Sequence, residues 1–404
     1  MSGTVPETQL KDLPSEVARA RILADLPPVT LETVALDAAL GRVLAQPVVA
    51  QRDQPPFDAS AMDGWAVNGP GEDFVIVGES AAGHGYAAPL DPGEAVRIFT
   101  GAPVPAGATR VIIQEVAVRE GDRLRCPAAG SAPSHIRPAG GDFRAGQVLL
   151  TAGLRLDPWR LSLAAAAGRA TLQVARQPRV VVLSTGEELV APGGAPRADQ
   201  IFESGGTGLC ALITRWGGCP VRLAVVGDDE AAIAQAVVGA GGDVVVTLGG
   251  ASVGDHDLVK PALGRLGLTL RVESLKLRPG KPTWFGRLGD GRLVLGLPGN
   301  PASGLVCAEL FLKPLLLALQ GAAPGPFLET ARLAAPMPAN GPREHWARAR
   351  LSVQDGVQMA AVMADQDSSL ITIFAEADAL VRHAAGAEAL PAAAVVEVLR
   401  LGRG

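Results

Sequence analysis

Residues 243–257 read DVVVTLGGASVGDHD: an apolar, β-branched run that stops on two glycines, followed by two aspartates around one histidine. A run this apolar suits a strand buried on both faces, the habit of parallel sheets covered by helices. Its neighbours keep the rhythm. Upstream, RVVVLSTG (179–186) reads as a strand, GLCALITRWGG (208–218) as a helix closed by glycine, VRLAVVG (221–227) as a strand and DEAAIAQAVVGAGG (229–242) as a helix. Downstream, LVKPALGRLG (258–267) reads as a helix, PTWFGRL and GRLVLGL as a hairpin through Gly-Asp-Gly, and PASGLVCAELFLKPLLLALQG (301–321) as a helix. Alternating strands and helices predict a mostly parallel sheet covered on both faces over 178–325.

The flanks are different. PSEVARARILAD (14–25) predicts a short helix, and VTLETVALDAALGRVLA (29–45) a strand followed by a helix. From 51 to 145 short β-like runs (DFVIVG, EAVRIFT, RVIIQEVAV, DRLRC) alternate with Gly/Pro turns, which reads as a β-rich domain inserted into a linking region of 1–50 and 146–177. LSLAAAAGRATLQVA supplies that region with a helix, stopped by Gly168, and a strand. Pro324 and Pro326 mark the last boundary, and 326–404 returns to short strands. The expected fold class is therefore multidomain α/β plus β.

Bulk properties exclude several functions. Among 404 residues, 48% are hydrophobic, enough for sizeable cores, yet no apolar run approaches the length of a membrane span. The N-terminus lacks the apolar core of a signal peptide. Net charge is −5 with no basic cluster, so nucleic acid is not an expected partner. Cys126, Cys210, Cys219 and Cys307 follow neither a disulfide nor a zinc spacing, and read as reduced thiols of a cytoplasmic protein.

In open α/β sheets ligands sit at the carboxyl ends of strands. Three such ends are glycine turns: STGEEL (184–189), LGGASVGDHD (248–257) and LPGNPAS (297–303). Gly249, Gly250 and Gly299 let backbone N–H groups approach an anion, and Pro298 belongs to the last of these turns. Asn300 and Pro301 would start a helix whose N-terminus favours phosphate. Each turn taken singly is also an ordinary tight turn. Glu188, Asp228, Asp255 and Asp257 all follow strands, where hard oxygens would suit Mg²⁺ shared with a phosphate; a helix-capping role is the competing reading. Arg278 and Lys281 flank a Pro-Gly turn and could hold an oxyanion together. PPFDASAMDGWAV (55–67) brings Asp58 and Asp63 close to Phe57, Met62 and Trp65.

The chain resembles the molybdopterin molybdenumtransferases, the family of bacterial MoeA and of the gephyrin E domain and its plant counterpart. The resemblance rests on FDASAMDGWAV (57–67), RIFTGAPVPAGATRVIIQE (97–115), IRPAGGDFRAG (136–146), STGEELV (184–190), LGGASVGDHDLVKP (248–261), LRPGKPTWFG (277–286), GLPGNPAS (296–303) and REHWARARL (343–351). It implies a central MogA-like α/β domain, a barrel-like C-terminal β domain and a homodimer. It implies Mg²⁺-assisted hydrolysis of adenylyl-molybdopterin, release of AMP and transfer of molybdate to the dithiolene. Asp58, Thr100, Asp142, Glu188 and Asp228 would be catalytic, with Glu188, Asp255 and Asp257 on the metal. Ser252, Arg278, Lys281, Ser303, Arg348 and Ser368 would surround molybdate. A MogA-type adenylyltransferase and molybdoenzyme maturation proteins are the implied partners.

The chain departs from the family pattern at Arg278, where a lysine is usual, and at Gly205 and Gly206, where an asparagine usually starts a helix. Asp367 in ADQDSSLIT and Trp65 also differ. An active insertase leads; a non-catalytic molybdopterin-binding or delivery paralogue and a dimeric scaffold are the other classes.

Overall fold

A computed structural model describes residues 5–128, 134–250 and 258–402. The chain packs as two compact units: Met1–Glu32 with Ala175–Gly404, and Thr33–Val174.

The first unit holds a six-stranded sheet. Its order is Cys219–Arg222, Arg179–Ser184, Val244–Leu248, Leu293–Leu297, Trp284–Arg287 and Thr269–Val272. The first four strands run parallel, and the last two add as antiparallel partners. Alternate residues enter opposite cores, as the pleat requires. Val180, Val182, Val244 and Val246 pack with Leu209 and Ile213 of the helix Gly205–Arg215 and with Val306 and Leu310 of the Pro301–Leu319 helix. Val181, Leu183, Val245 and Val294 pack with Ile233 and Val237 and with Val259 and Leu263. Pro220 is tolerated because its strand lies at the sheet edge. The Pro301–Leu319 helix is long and apolar enough to cross a membrane by composition, but it is largely buried as a core helix.

The same unit ends in a closed barrel of Glu344–Gln354, Val357–Val362, Leu328–Leu333, Val395–Arg400 and Ala379–His383, the first and last strands pairing to shut it. The short strand Leu277–Arg278 leaves the α/β region and pairs with the barrel, Arg278 opposite His345.

The second unit carries a six-stranded, mainly antiparallel sheet over Gly64–Arg125, with Trp65, Phe74 and Leu124 on one face and Ala66, Val96 and Ile98 on the other. The helix expected after the first strand does not form. Only a 3-10 turn, Leu36–Ala38, follows Leu31–Ala35. Gly41 at φ +74° turns the chain so that Gly41 N–H and Leu44 N–H donate to Leu156 O and Leu154 O, both at 2.8 Å. Backbone pairing across the chain has replaced the local helix. The helix Pro158–Ala166 and strand Thr171–Ala175 form as read.

Candidate functional site

The carboxyl ends of the parallel strands open into a cavity of about 760 Å³, lined among others by Glu188, Asp228, Gly249, Gly250, Pro298, Gly299 and Asn300. All three expected glycine turns contribute to it. The turns touch: a Cβ on Gly299 would lie 3.2 Å from Gly249 Cα. Gly249 itself sits at φ +94°, and a Cβ there would meet Thr185 O at 2.8 Å, so no other residue fits this turn unstrained. Backbone therefore walls this part of the cavity.

The Glu188 carboxylate folds back over Gly186, where any Cβ would collide with it. Glu188 and Asp228 are exposed, and neither carboxylate has a hydrogen-bonding or ion-pair partner among the described residues. Ser252, Asp255 and Asp257, expected on the same tip, lie outside the described residues.

Asn300 precedes the Pro301–Leu319 helix and Pro301 takes its first position, as the sequence suggested. The Asn300 side chain does not cap the helix. Its Nδ2 donates instead to Ser368 Oγ at 3.0 Å, tying the helix start to the 363–369 loop. The first-turn N–H groups are left for another acceptor. Ser303 is buried in this helix.

Arg278 and Lys281 part company. Arg278 lines a second cavity, of about 610 Å³, with His345, His383, Asp365, Gln366 and Asp367. Lys281 is exposed next to Pro282, which lines the main cavity. Arg348 is 1% exposed. Its Nε donates to Gln366 Oε1 at 3.1 Å and its Nη1 to Asp367 O at 2.9 Å. Burial lowers its pKa first, and the Asp365 and Asp367 charges oppose that. The Asp367 carboxylate accepts from Ser369 N–H at 2.8 Å and Ser369 Oγ at 2.7 Å, bonds that lower its pKa.

In the second unit, Asp142 lines a cavity of about 690 Å³ with Phe57, Gly101 and Arg137. The residues on either side of Asp58 and the residue after Thr100 share that lining. Asp58 Oδ1 accepts from Ala139 N–H at 2.8 Å. Thr100 donates its N–H at 2.7 Å and its hydroxyl at 2.8 Å to Asp63 Oδ1, which holds the exposed Asp63 carboxyl below its usual pKa.

Two residues escaped the sequence reading. Glu203, 3% exposed, lines the main cavity and accepts from Gly206 N–H at 2.6 Å and from the Arg222 guanidinium. It caps the helix that Gly205 and Gly206 begin without an asparagine. A Cβ on Gly206 would approach Glu203 Oε2 to 3.0 Å, so the glycine makes room for this longer acid. Gln366 is the second. No motif marks either one; an acid two residues before a glycine pair was the available signal for Glu203.

Known proteins agree with this layout. Residues 13–168 match the MoeA N-terminal region (domain I and II), 181–318 a probable molybdopterin binding domain, and 330–401 the MoeA C-terminal region (domain IV). A molybdopterin molybdenumtransferase of Nostoc sp. is 35% identical, over 81% of this chain and 78% of that protein. One from Bacillus subtilis is 31% identical over 91% and 89%. A solved molybdopterin biosynthesis MoeA protein from Pyrococcus horikoshii superposes with TM-score 0.82 at 30% identity, covering 98% of this chain and 100% of that one. The expected MogA-like central domain and barrel-like C-terminal domain are both present in this fold.

Proposed function

The chain belongs to the molybdopterin molybdenumtransferase family, the MoeA proteins of molybdenum cofactor biosynthesis, and from that premise we propose that it hydrolyses adenylyl-molybdopterin, releases AMP and inserts molybdate into the dithiolene. The observation carrying this reading is the convergence of three glycine turns, one helix start and two acids without a partner among the described residues on a single cavity. A phosphoanhydride would lay its charge on the Gly249, Gly250 and Gly299 backbone and the first turn after Asn300.

The acids fit Mg²⁺: Glu188 and Asp228 offer exposed, hard oxygens at strand ends, with room for phosphate and water oxygens to complete the shell. When bound, the ion would neutralise charge on the anhydride as it breaks. Lys281 and Arg348 serve the tetrahedral dianion, Lys281 as a mobile point charge and Arg348 as a fixed fork. Asp58, Thr100 and Asp142 keep the catalytic part that the family resemblance gives them, and Ser252, Asp255 and Asp257 their ligand-binding part. The proposal includes a cytoplasmic homodimer supplied by a MogA-type adenylyltransferase.

The binding-only alternative leaned on Gly205 and Asp367. Glu203 supplies the cap that Gly205 lacks, and Ser369 engages the Asp367 carboxylate. Purified protein given adenylyl-molybdopterin, Mg²⁺ and molybdate is expected to release AMP. Release no higher than in a protein-free control would leave only binding.

A further inference from the structure

Arg348 is a buried cation whose hydrogen-bond partners among the described residues are all neutral. It is 1% exposed and makes no ion pair with a carboxylate among the described residues. Its partners are neutral: the Gln366 side-chain amide and the Asp367 backbone carbonyl. One donor, Nη2, is buried and has no hydrogen-bond partner among the described residues. A buried charge in this state is costly unless a ligand completes it.

Gln366 creates the state. Its Oε1 accepts from Arg348 N–H at 2.9 Å as well as from Nε. Its Nε2 donates to Arg348 O at 3.0 Å and Met363 O at 2.8 Å. Both ends of the amide are thus spent on the arginine's own strand and on the 363–369 loop. A carboxylate here would neutralise the guanidinium; an amide orients it and leaves its charge unspent. The two acids whose charges reach Arg348, Asp365 first and then Asp367, do not bond to it: Asp365 accepts from Asp367 N–H at 2.9 Å, and Ser369 takes the Asp367 carboxylate. The same loop reaches the main cavity through the Ser368–Asn300 bond.

We propose that Gln366 is a positioning residue, acting through Arg348, that holds the guanidinium charged and one acceptor short so that a tetrahedral oxyanion can take Nη2. This rests on the molybdate-binding reading above.

The test is calorimetric titration of the full chain with sodium molybdate, with thermal melting as a control of folding. Gln366→Leu is expected to weaken binding about tenfold, the loss of one charge-assisted hydrogen bond. Gln366→Glu keeps the acceptor for Arg348 and supplies a counter-charge, but it loses the two donations to Arg348 O and Met363 O, so it is expected to melt lower than the parent, remain folded and bind molybdate more weakly. Gln366→Leu added to Arg348→Ala is expected to bind no worse than Arg348→Ala alone. The proposal is overturned if Gln366→Glu binds like the parent, if Gln366→Leu does so while folded, or if the double variant is weaker than Arg348→Ala. A parent chain that binds no molybdate sinks the functional reading itself, and this inference with it. Binding lost in Arg348→Ala but kept in both Gln366 variants sinks only the inference.

Discussion

The strand tips and the barrel treat their charges in opposite ways. At the tips, Glu188 and Asp228 stand exposed at the cavity with no partner among the described residues. On the barrel, Arg348 is buried and gripped by neutral groups, and His345 beside it is held uncharged. Open acids suit a metal that arrives with its substrate and keeps waters. A locked cation suits an anion that must be oriented before it reacts. The contrast says which side of the chemistry each region performs, and it can be broken by experiment.

The largest effect is expected where the acids are removed. Glu188→Gln and Asp228→Asn together should slow AMP release by about 10²–10³-fold, the scale of losing electrostatic stabilisation in a transition state. Melting should be unchanged, since neither carboxylate has a partner to lose among the described residues. A double variant that turns over like the parent would break the comparison on its acidic side.

The barrel side predicts a pH effect. Burial first, then the positive charge of Arg278 nearby, lowers the His345 pKa from 6.5 to about 4; His383, Arg348 and Arg343 act in the same direction. Between those values the unfolded chain binds a proton that the folded chain refuses. Stability is therefore whole above about pH 6.5 and falls as the pH drops toward 4, by at most about 1.4 kcal/mol per unit. Melting temperature followed from pH 7 to pH 4.5 should decline, and His345→Asn should flatten the decline. An equal slope in both proteins would mean that other groups carry it.

Lys281 is expected to matter less, because it is exposed. Lys281→Ala should raise the molybdate concentration giving half-maximal AMP release by about tenfold, at unchanged melting. An unmoved concentration would leave the oxyanion to Arg348 alone.

Much of this contrast was legible in the sequence because it lives in backbone. Glycine at Gly249 and proline at Pro301 announce a turn and a helix start whatever packs around them. The helix expected after Ala35 failed for the complementary reason: its backbone found partners at Leu154 and Leu156, over a hundred residues away. Gln366 was invisible in the same manner, since it lies in a loop and its value depends on Arg348, 18 residues away on a strand. The Arg278–Lys281 turn was recognised, yet its residues proved to face different surroundings, and spacing does not encode which way side chains leave a turn.

Glu203 offers the finest test, since it shares the cavity of Glu188 but not its freedom. Its carboxylate is buried, caps the Gly205–Arg215 helix at Gly206 N–H, and binds Arg222, which in turn donates to Thr207 Oγ1 at 2.9 Å. If partnership separates structural acids from functional ones, Glu203→Ala should cost about 1 kcal/mol of stability, the usual value of a lost helix cap. Urea unfolding would show this as a lower midpoint at unchanged slope. AMP release per folded molecule should stay within about twofold of the parent, because both Glu203 oxygens are held by the protein, one by Gly206 N–H and one by Arg222. A Glu203→Ala protein as stable as the parent but as slow as the Glu188 and Asp228 variant would show that burial and hydrogen bonding do not sort the acids of this cavity.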